Sequence, residues 1–180
     1  VSLKTGANVL ERLEREPYKA GDVYIDRSGV WHVRGVPMDP ERALRGTDVV
    51  FNALHGQYGE DGEVQRVLDR LGVPYTGSGA FPSAAAMNKV LTKELLSKHG
   101  VKMARHKVLK VSPELEAEAR EAFKAFSPPI IIKPASSGSS VGITLAKTFD
   151  EFWEGVKTAF KHSKEVIVEE FIKGREATAG

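Results

Sequence analysis

Residues 48–75, DVVFNALHGQYGEDGEVQRVLDRLGVPY, decide how the first half of this chain is read. Residues 48–54 are an apolar run that suits a strand buried on both faces. A glycine-rich loop follows from His55 to Gly62. Val64, Val67, Leu68 and Leu71 then fall on one helical face, with Gly72 as the C-terminal stop. Residues 73–75 supply another short strand. Strand, loop, helix and strand make a βαβ unit, the signature of an open parallel sheet, so the expected fold class here is α/β. In such sheets ligands bind beyond the carboxyl ends of the strands, where the 55–62 loop must lie. His55, Glu60 and Asp61 are its titratable groups. Asp61 reads as a helix N-cap and Glu60 as a solvated residue, whereas His55, beside glycines at a strand end, reads as functional.

Upstream, Val1, Ala7, Leu10 and Leu13 share a helical face, which predicts a helix over 2–15. Residues 22–26 and 30–33 read as strands around an Arg27-Ser28-Gly29 hairpin turn, and Asp39-Pro40 as the start of a short helix. From about Phe81 the pattern restarts. A helix bearing Val90, Leu91 and Leu95 runs to Gly100, a strand lies near 106–111, and Ser112-Pro113 opens another helix. Strands at 130–133, 143–146 and 166–169 follow, with a helix between the last two. That helix is announced by Thr148 and Glu151, a capping box, and carries Phe149, Phe152, Trp153, Val156 and Phe160. Gly174-Arg175-Glu176 looks like the start of one more strand. This second half reads as a small α+β module.

The richest chemistry lies in residues 130–142, IIIKPASSGSSVG. A β-branched run ends in Lys133-Pro134, and a loop of small residues follows: Ser136, Ser137, Gly138, Ser139, Ser140 and Gly142. Such a loop can bring backbone N–H groups and hydroxyls onto one anion, with the lysine as a point charge beside them. A polyphosphate is the simplest ligand, but a flexible Gly/Ser turn with a solvated lysine accounts for the loop equally well. The lysine precedes the glycines, so this is not a Walker-type site. Lys89 and Lys93, one helical turn apart, read as solvated when taken alone. Glu169, Glu170, Phe171 and Ile172 close a strand. They can hold a flat ring and ribose hydroxyls, or be a plain rim with exposed charges.

Composition narrows the classes. Of 180 residues, 41% are hydrophobic and 28% charged, as in an ordinary globular protein. A net charge of +2 with interspersed signs argues against nucleic-acid or membrane partners. There is no cysteine, which excludes disulfides, zinc–thiolate sites and thiol catalysis. No apolar run reaches the roughly 18 residues of a membrane span, and no signal peptide is visible, so the expected location is cytoplasmic. The chain opens on Val1 without a methionine and stops within an apolar-alternating stretch, so the expectation is a piece of a longer protein.

These pieces in this order resemble D-alanine–D-alanine ligase, of the ATP-grasp superfamily. The resemblance rests on Ala53-Leu54-His55-Gly56 with Gly59-Glu60-Asp61-Gly62, Tyr75-Thr76-Gly77-Ser78-Gly79, and Met87-Asn88-Lys89 with Thr92-Lys93. It continues through Lys133-Pro134 with Gly138-Ser139-Ser140-Val141-Gly142, then Glu169-Glu170-Phe171 and Gly174-Arg175-Glu176. It implies a pre-ATP-grasp domain over 1–82 lacking its first strand, a central nucleotide-binding subdomain over 83–175, and the start of a C-terminal lobe at 176–180. It implies a reaction in which ATP phosphorylates one D-alanine carboxylate and the amine of a second D-alanine attacks, for peptidoglycan precursors. Lys89 and Lys133 would contact phosphates, and the loop with Ser136, Ser137, Gly138 and Ser140 would close over them. Glu169, the backbone of Glu170, Phe171 and Ile172, and Glu176 would hold adenine and ribose. His55 and Glu60 would lie near the amino acids, and Ser139 would help place the first. The Mg²⁺ ligands would lie in the absent C-terminal part, and the whole enzyme would be a homodimer. Asn88 stands where the family usually has Asp, and Ser137 where some members have an acid. The expectation is that these residues alone do not catalyse ligation. Two other readings stand beside it: an ATP-grasp ligase with a different acceptor, and a non-catalytic nucleotide-binding or interaction module.

Overall fold

The computed structural model describes residues 1–13, 17–138 and 140–177. The chain divides into two compact units, Val1–Ala84 and Ala85–Gly180.

In the first unit, α1 (Ser2–Leu13) precedes three short strands, β1 (Val23–Ile25), β2 (Trp31–Val33) and β3 (Val36–Met38). They form an antiparallel sheet in sequence order, with Tyr24 opposite His32 and His32 opposite Pro37. The β1–β2 turn is tied by the Asp26 carboxylate, which accepts the Ser28 N–H at 2.8 Å, its hydroxyl at 2.6 Å and the Val30 N–H at 3.1 Å. The next turn places Arg34 and Gly35 at φ 50° and 78°, the tight two-residue hairpin geometry. Helices α2 (Pro40–Ala43) and α3 (Glu63–Leu71) complete the unit's core, where Trp31, Leu44, Val64 and Leu68 are buried.

The expected open parallel sheet is not there. Among the described residues both sheets are wholly antiparallel, and the run 48–54 forms no strand. It makes one isolated parallel bridge, Val50 to Tyr75, where the Val50 N–H reaches the Pro74 carbonyl at 2.8 Å and the Thr76 N–H reaches Val50 at 3.0 Å. The ladder stops at once because the Asn52 N–H is taken by the Thr76 hydroxyl at 3.1 Å instead of a backbone carbonyl. Val49 and Phe51 stay 58% and 50% exposed, so the two-sided burial that sustains a parallel strand is missing. The apolar run 48–54 thus predicts neither the burial nor the pairing that the structure shows.

Helix α4 (Ala80–Met87) is followed directly by α5 (Lys89–Ser97). Asn88 separates them as the N-cap of α5, its side chain accepting the Val90 and Leu91 N–H groups. The second unit continues with β4 (His106–Lys110), α6 (Leu115–Lys124), β5 (Ile130–Pro134), β6 (Thr144–Ala146), α7 (Phe149–Phe160) and β7 (Glu165–Glu170). Its four-stranded antiparallel sheet has the order β4-β7-β5-β6. α7 starts in the capping box between Thr148 and Glu151. Ile130, Ile132, Val166 and Val168 bury one sheet face against Ala119 and Ala122 of α6 and Phe152, Val156 and Ala159 of α7. By strand alternation Lys133 and Glu169 stand on the opposite face. Residues 171–177 form no helix or strand, so the strand expected at Gly174 is absent.

Candidate functional site

The sheet register of the second unit sets its site. Lys133 on β5 pairs opposite Ile167, and Glu169 on β7 opposite Ile131. Lys133 and Glu169 are therefore diagonal neighbours on one face, within reach of long side chains. The Lys133 ammonium donates to Oε2 of Glu169 at 2.6 Å. A second lysine, Lys93 of α5, reaches Oε1 of the same carboxylate at 2.8 Å. The Glu169 side chain is only 7% exposed and that of Lys93 13%, so this is no surface ion pair.

Helix α5 brings in a third lysine. Its first residue, Lys89, donates its backbone N–H to the Ala135 carbonyl at 2.9 Å, which docks the helix against the end of β5. One turn before Lys93, the Lys89 side chain shares its helix face. Its ammonium donates to the carbonyl of Ser137, in the glycine loop, at 2.6 Å. Burial, and then the charge of Lys133, lower the pKa of Lys89, with Glu169 opposing. Burial alone would raise the pKa of Glu169, but the hydrogen bonds from Lys133 and Lys93 outweigh it and hold the carboxyl below its ordinary value. Two ammonium groups thus share one carboxylate, and a third is held by a carbonyl of the adjoining loop of small residues. The cluster carries excess positive charge and suits an anion with several oxygens.

The loop itself is open where it faces solvent. Ser136 and Gly138 are exposed, and a Cβ at Gly138 would meet nothing within 4 Å. The Ser136 N–H is held by the Ser163 hydroxyl at 3.3 Å and the Ser137 hydroxyl by the Val141 carbonyl at 3.3 Å. Ser140 is exposed; its carbonyl accepts the Ile143 N–H at 3.3 Å. Ser139 lies outside the described residues. Past the carboxylate, Glu170 binds the Arg105 backbone N–H at 2.8 Å and its guanidinium at 2.7 Å, which lowers its pKa. Phe171 and Ile172 are 44% and 66% exposed, and Glu176 is exposed in the irregular segment. Lys89, Lys133, Ser137 and Glu169 are therefore brought together, while Glu170 turns to Arg105. Lys93, read from sequence as solvated, is the member that sequence reasoning missed. Its spacing of four from Lys89 was the available signal.

In the first unit, the 55–62 loop is organised by its own carboxylates. Glu60 accepts the Gly56 N–H at 2.9 Å and returns its own N–H to the Gly56 carbonyl at 2.8 Å. The helix cap is Gly62 rather than Asp61. Asp61 instead accepts the N–H groups of Tyr58 at 2.8 Å and Glu63 at 3.1 Å, so it satisfies a helix donor without occupying the cap position. His55 is exposed, with Nδ1 3.0 Å from the Ala53 carbonyl and its N–H donated to the Ser2 hydroxyl at 3.0 Å. His55 and Glu60 thus share one loop.

Among the described residues, no three His, Cys, Asp or Glu side chains group to hold a metal ion. Nor is any described helix long and apolar enough to cross a membrane.

Comparison with known proteins gives a consistent result. Residues 95–180 match the family described as D-ala D-ala ligase C-terminus, and residues 34–78 that described as D-ala D-ala ligase N-terminus. The D-alanine–D-alanine ligase of Geobacter sulfurreducens is 38% identical over 180 residues, covering 100% of this chain and 53% of that protein. That of Natranaerobius thermophilus is 34% identical over 209 residues, covering 98% and 57%. Among solved structures, the D-alanine-D-alanine ligase from Coxiella burnetii matches with a TM-score of 0.81 at 27% identity, over 97% of this chain and 60% of that one. The VanG D-Ala:D-Ser ligase from Enterococcus faecalis matches at 0.82 and 29%, over 96% and 58%. The chain spans about half the length of the curated relatives it matches.

Proposed function

The chain belongs to the D-alanine–D-alanine ligase family, within the ATP-grasp superfamily, and on that premise we propose that its second unit binds ATP through the phosphates. The observation that carries this is the cluster itself: Lys93 and Lys133 on the single carboxylate of Glu169, and Lys89 on the Ser137 carbonyl of the adjoining loop. Negative charge on phosphoryl oxygens calls for ammonium groups and backbone N–H groups held in place beforehand. In this reading Lys89 and Lys133 exchange a protein oxygen for a phosphate oxygen. Ser136, Ser137, Gly138, Ser139 and Ser140 form the loop over them. Glu169, the backbone of Glu170 to Ile172, and Glu176 are the proposed adenine and ribose contacts. The 83–175 segment is the proposed nucleotide subdomain, residues 1–82 are the proposed preceding domain, and His55 and Glu60 are its proposed amino-acid contacts.

The reaction we propose for the whole protein is ATP-dependent joining of D-alanine to an amine acceptor for peptidoglycan precursors. ATP supplies a leaving group to a carboxylate that is otherwise a poor electrophile. The family uses Mg²⁺ as well, but the described residues offer no cluster that fits it. No step here is routed through the metal. A second reading keeps the ATP site and changes the acceptor, and the similarity to the VanG D-Ala:D-Ser ligase from Enterococcus faecalis favours it.

Titration calorimetry with ATP tests the site. Lys133→Ala is expected to weaken binding about tenfold, the worth of one charge-assisted contact. Unchanged binding would overturn the phosphate role of the loop. In a protein carrying this sequence at the length of its relatives, phosphate release that depends on D-alanine and yields dipeptide tests the reaction.

A further inference from the structure

The Lys93–Glu169 contact is not explained by phosphate binding alone. Lys93 is spent on a carboxylate, in a place where every other positive charge faces the loop or sits beside it. The geometry shows what that contact does. Glu169 has two oxygens, and each holds one lysine: Oε1 takes Lys93 at 2.8 Å and Oε2 takes Lys133 at 2.6 Å. Lys133 and Glu169 are fixed on neighbouring strands of one sheet, so neither backbone can retreat from the other. Without Lys93, the whole negative charge of a buried carboxylate would face Lys133 alone. A phosphate would then compete with a fully charged, permanently positioned rival for the same ammonium group.

We propose that Lys93 is a positioning residue for the phosphate site: by holding Oε1 of Glu169 it draws that carboxylate's charge away from Lys133 and leaves Lys133 free to take a phosphate oxygen. This rests on the phosphate reading above. The role is electrostatic and indirect, since Lys93 points at the carboxylate and acts through Lys133. It also explains why two lysines lie one turn apart on α5. Lys89 serves the loop, and Lys93 serves the group that restrains Lys133.

The test is calorimetric titration of the 180-residue chain with inorganic tripolyphosphate and, separately, with adenosine. Lys93→Met is expected to weaken tripolyphosphate binding about tenfold and to weaken adenosine binding, which uses Glu169 directly, by clearly less. Glu169→Gln is expected to bind tripolyphosphate at least as tightly as the parent, because it removes the rival charge. The double variant Lys93→Met/Glu169→Gln is expected to recover most of what Lys93→Met loses. Lys93→Arg, which keeps the charge, is expected to behave like the parent. If Lys93→Met does not fold, Glu169→Gln still decides, because a clear loss of tripolyphosphate affinity there would overturn the proposal. A double variant no better than Lys93→Met, or equal losses for tripolyphosphate and adenosine, would make Lys93 merely structural and overturn it too. If Lys133→Met binds tripolyphosphate as tightly as the parent, the phosphate reading falls and takes this proposal with it. If Lys133→Met is weakened and Lys93→Met is not, the proposal falls and the phosphate reading stands.

Discussion

Gly142 and Gly138 sit four residues apart in the same loop, yet alanine at the two positions should move stability in opposite directions. Gly142 has φ of 72°, in the left-handed region, and a Cβ there would lie 2.7 Å from Cγ of Pro134 and 2.9 Å from Cδ2 of His162. The exposed His162 ring can swing away, but Pro134 is fully buried in β5 and cannot. The left-handed backbone costs an L-residue about 1–2 kcal/mol. Forcing a methyl against a fixed ring adds about 1–3 kcal/mol. Lower entropy of the unfolded chain returns about 0.4–1 kcal/mol. The net expectation for Gly142→Ala is a loss of about 1–5 kcal/mol, a large share of a typical domain's ~5–15 kcal/mol. Gly138 lies outside the left-handed region and its Cβ would meet nothing within 4 Å, so only the unfolded-state gain applies. Gly138→Ala should be neutral or stabilising by up to about 1 kcal/mol. Native-state hydrogen exchange at the β5 and β7 amides reads the second unit by itself. Equal shifts in the two variants, or a Gly142→Ala change within about 0.5 kcal/mol of the parent, would refute the packing argument.

Two further outcomes follow from the same unit. Phe152 is fully buried, with its ring centroid 5.4 Å from that of Phe123 and 6.1 Å from that of Phe149, so Phe152→Ala is expected to cost about 3–5 kcal/mol in a urea melt; a loss under about 1 kcal/mol would mean the aromatic cluster is not part of the cooperative core. The second outcome concerns acid. The folded pKa of Glu169 lies below its ordinary value of 4.5, so its stabilisation is fully present above that pH and is lost as pH falls through the folded pKa. Glu169→Gln should therefore be less stable than the parent at pH 7 and converge with it on acidification; parallel stability curves for the two chains would show that the lysine contacts do not stabilise the charged carboxylate.

What could be read in the sequence was what short-range chemistry decides. The start of α7 was legible because a capping box is local: Thr148 and Glu151 satisfy each other's backbone donors wherever the helix later packs. The apolar face of α3 and its stop at Gly72 were legible for the same reason. The parallel sheet was not, because an apolar run such as 48–54 becomes a strand only if partners line up beside it. Here the Asn52 N–H goes to the Thr76 hydroxyl and the ladder ends after one bridge. β3 went unseen because Arg34-Gly35 is not one of the familiar turn pairs and Pro37 speaks against a strand. Its place at the sheet edge tolerates the missing N–H.

The site followed the same division. Lys133 beside a glycine loop was visible as a motif, but its partner was not, because Glu169 arrives from another strand and only the register sets them diagonally. Lys93 was harder still. A lysine on a helix is solvated by default, and its spacing of four from Lys89 was the one local sign of the exception. The structure makes it one by aiming it at a carboxylate that is 7% exposed, where neither charge is left to water. Excess positive charge in a partly buried site is unfavourable in the free protein, and the pKa of Lys89 is lowered first by burial and then by the charge of Lys133. A fold selected only for stability would replace one of the three lysines with a neutral side chain. Keeping all three makes physical sense if an anion completes the cluster. Glu169 then serves as the internal stand-in: strong enough to hold the ammonium groups in place, and divided between two of them so that it can be displaced.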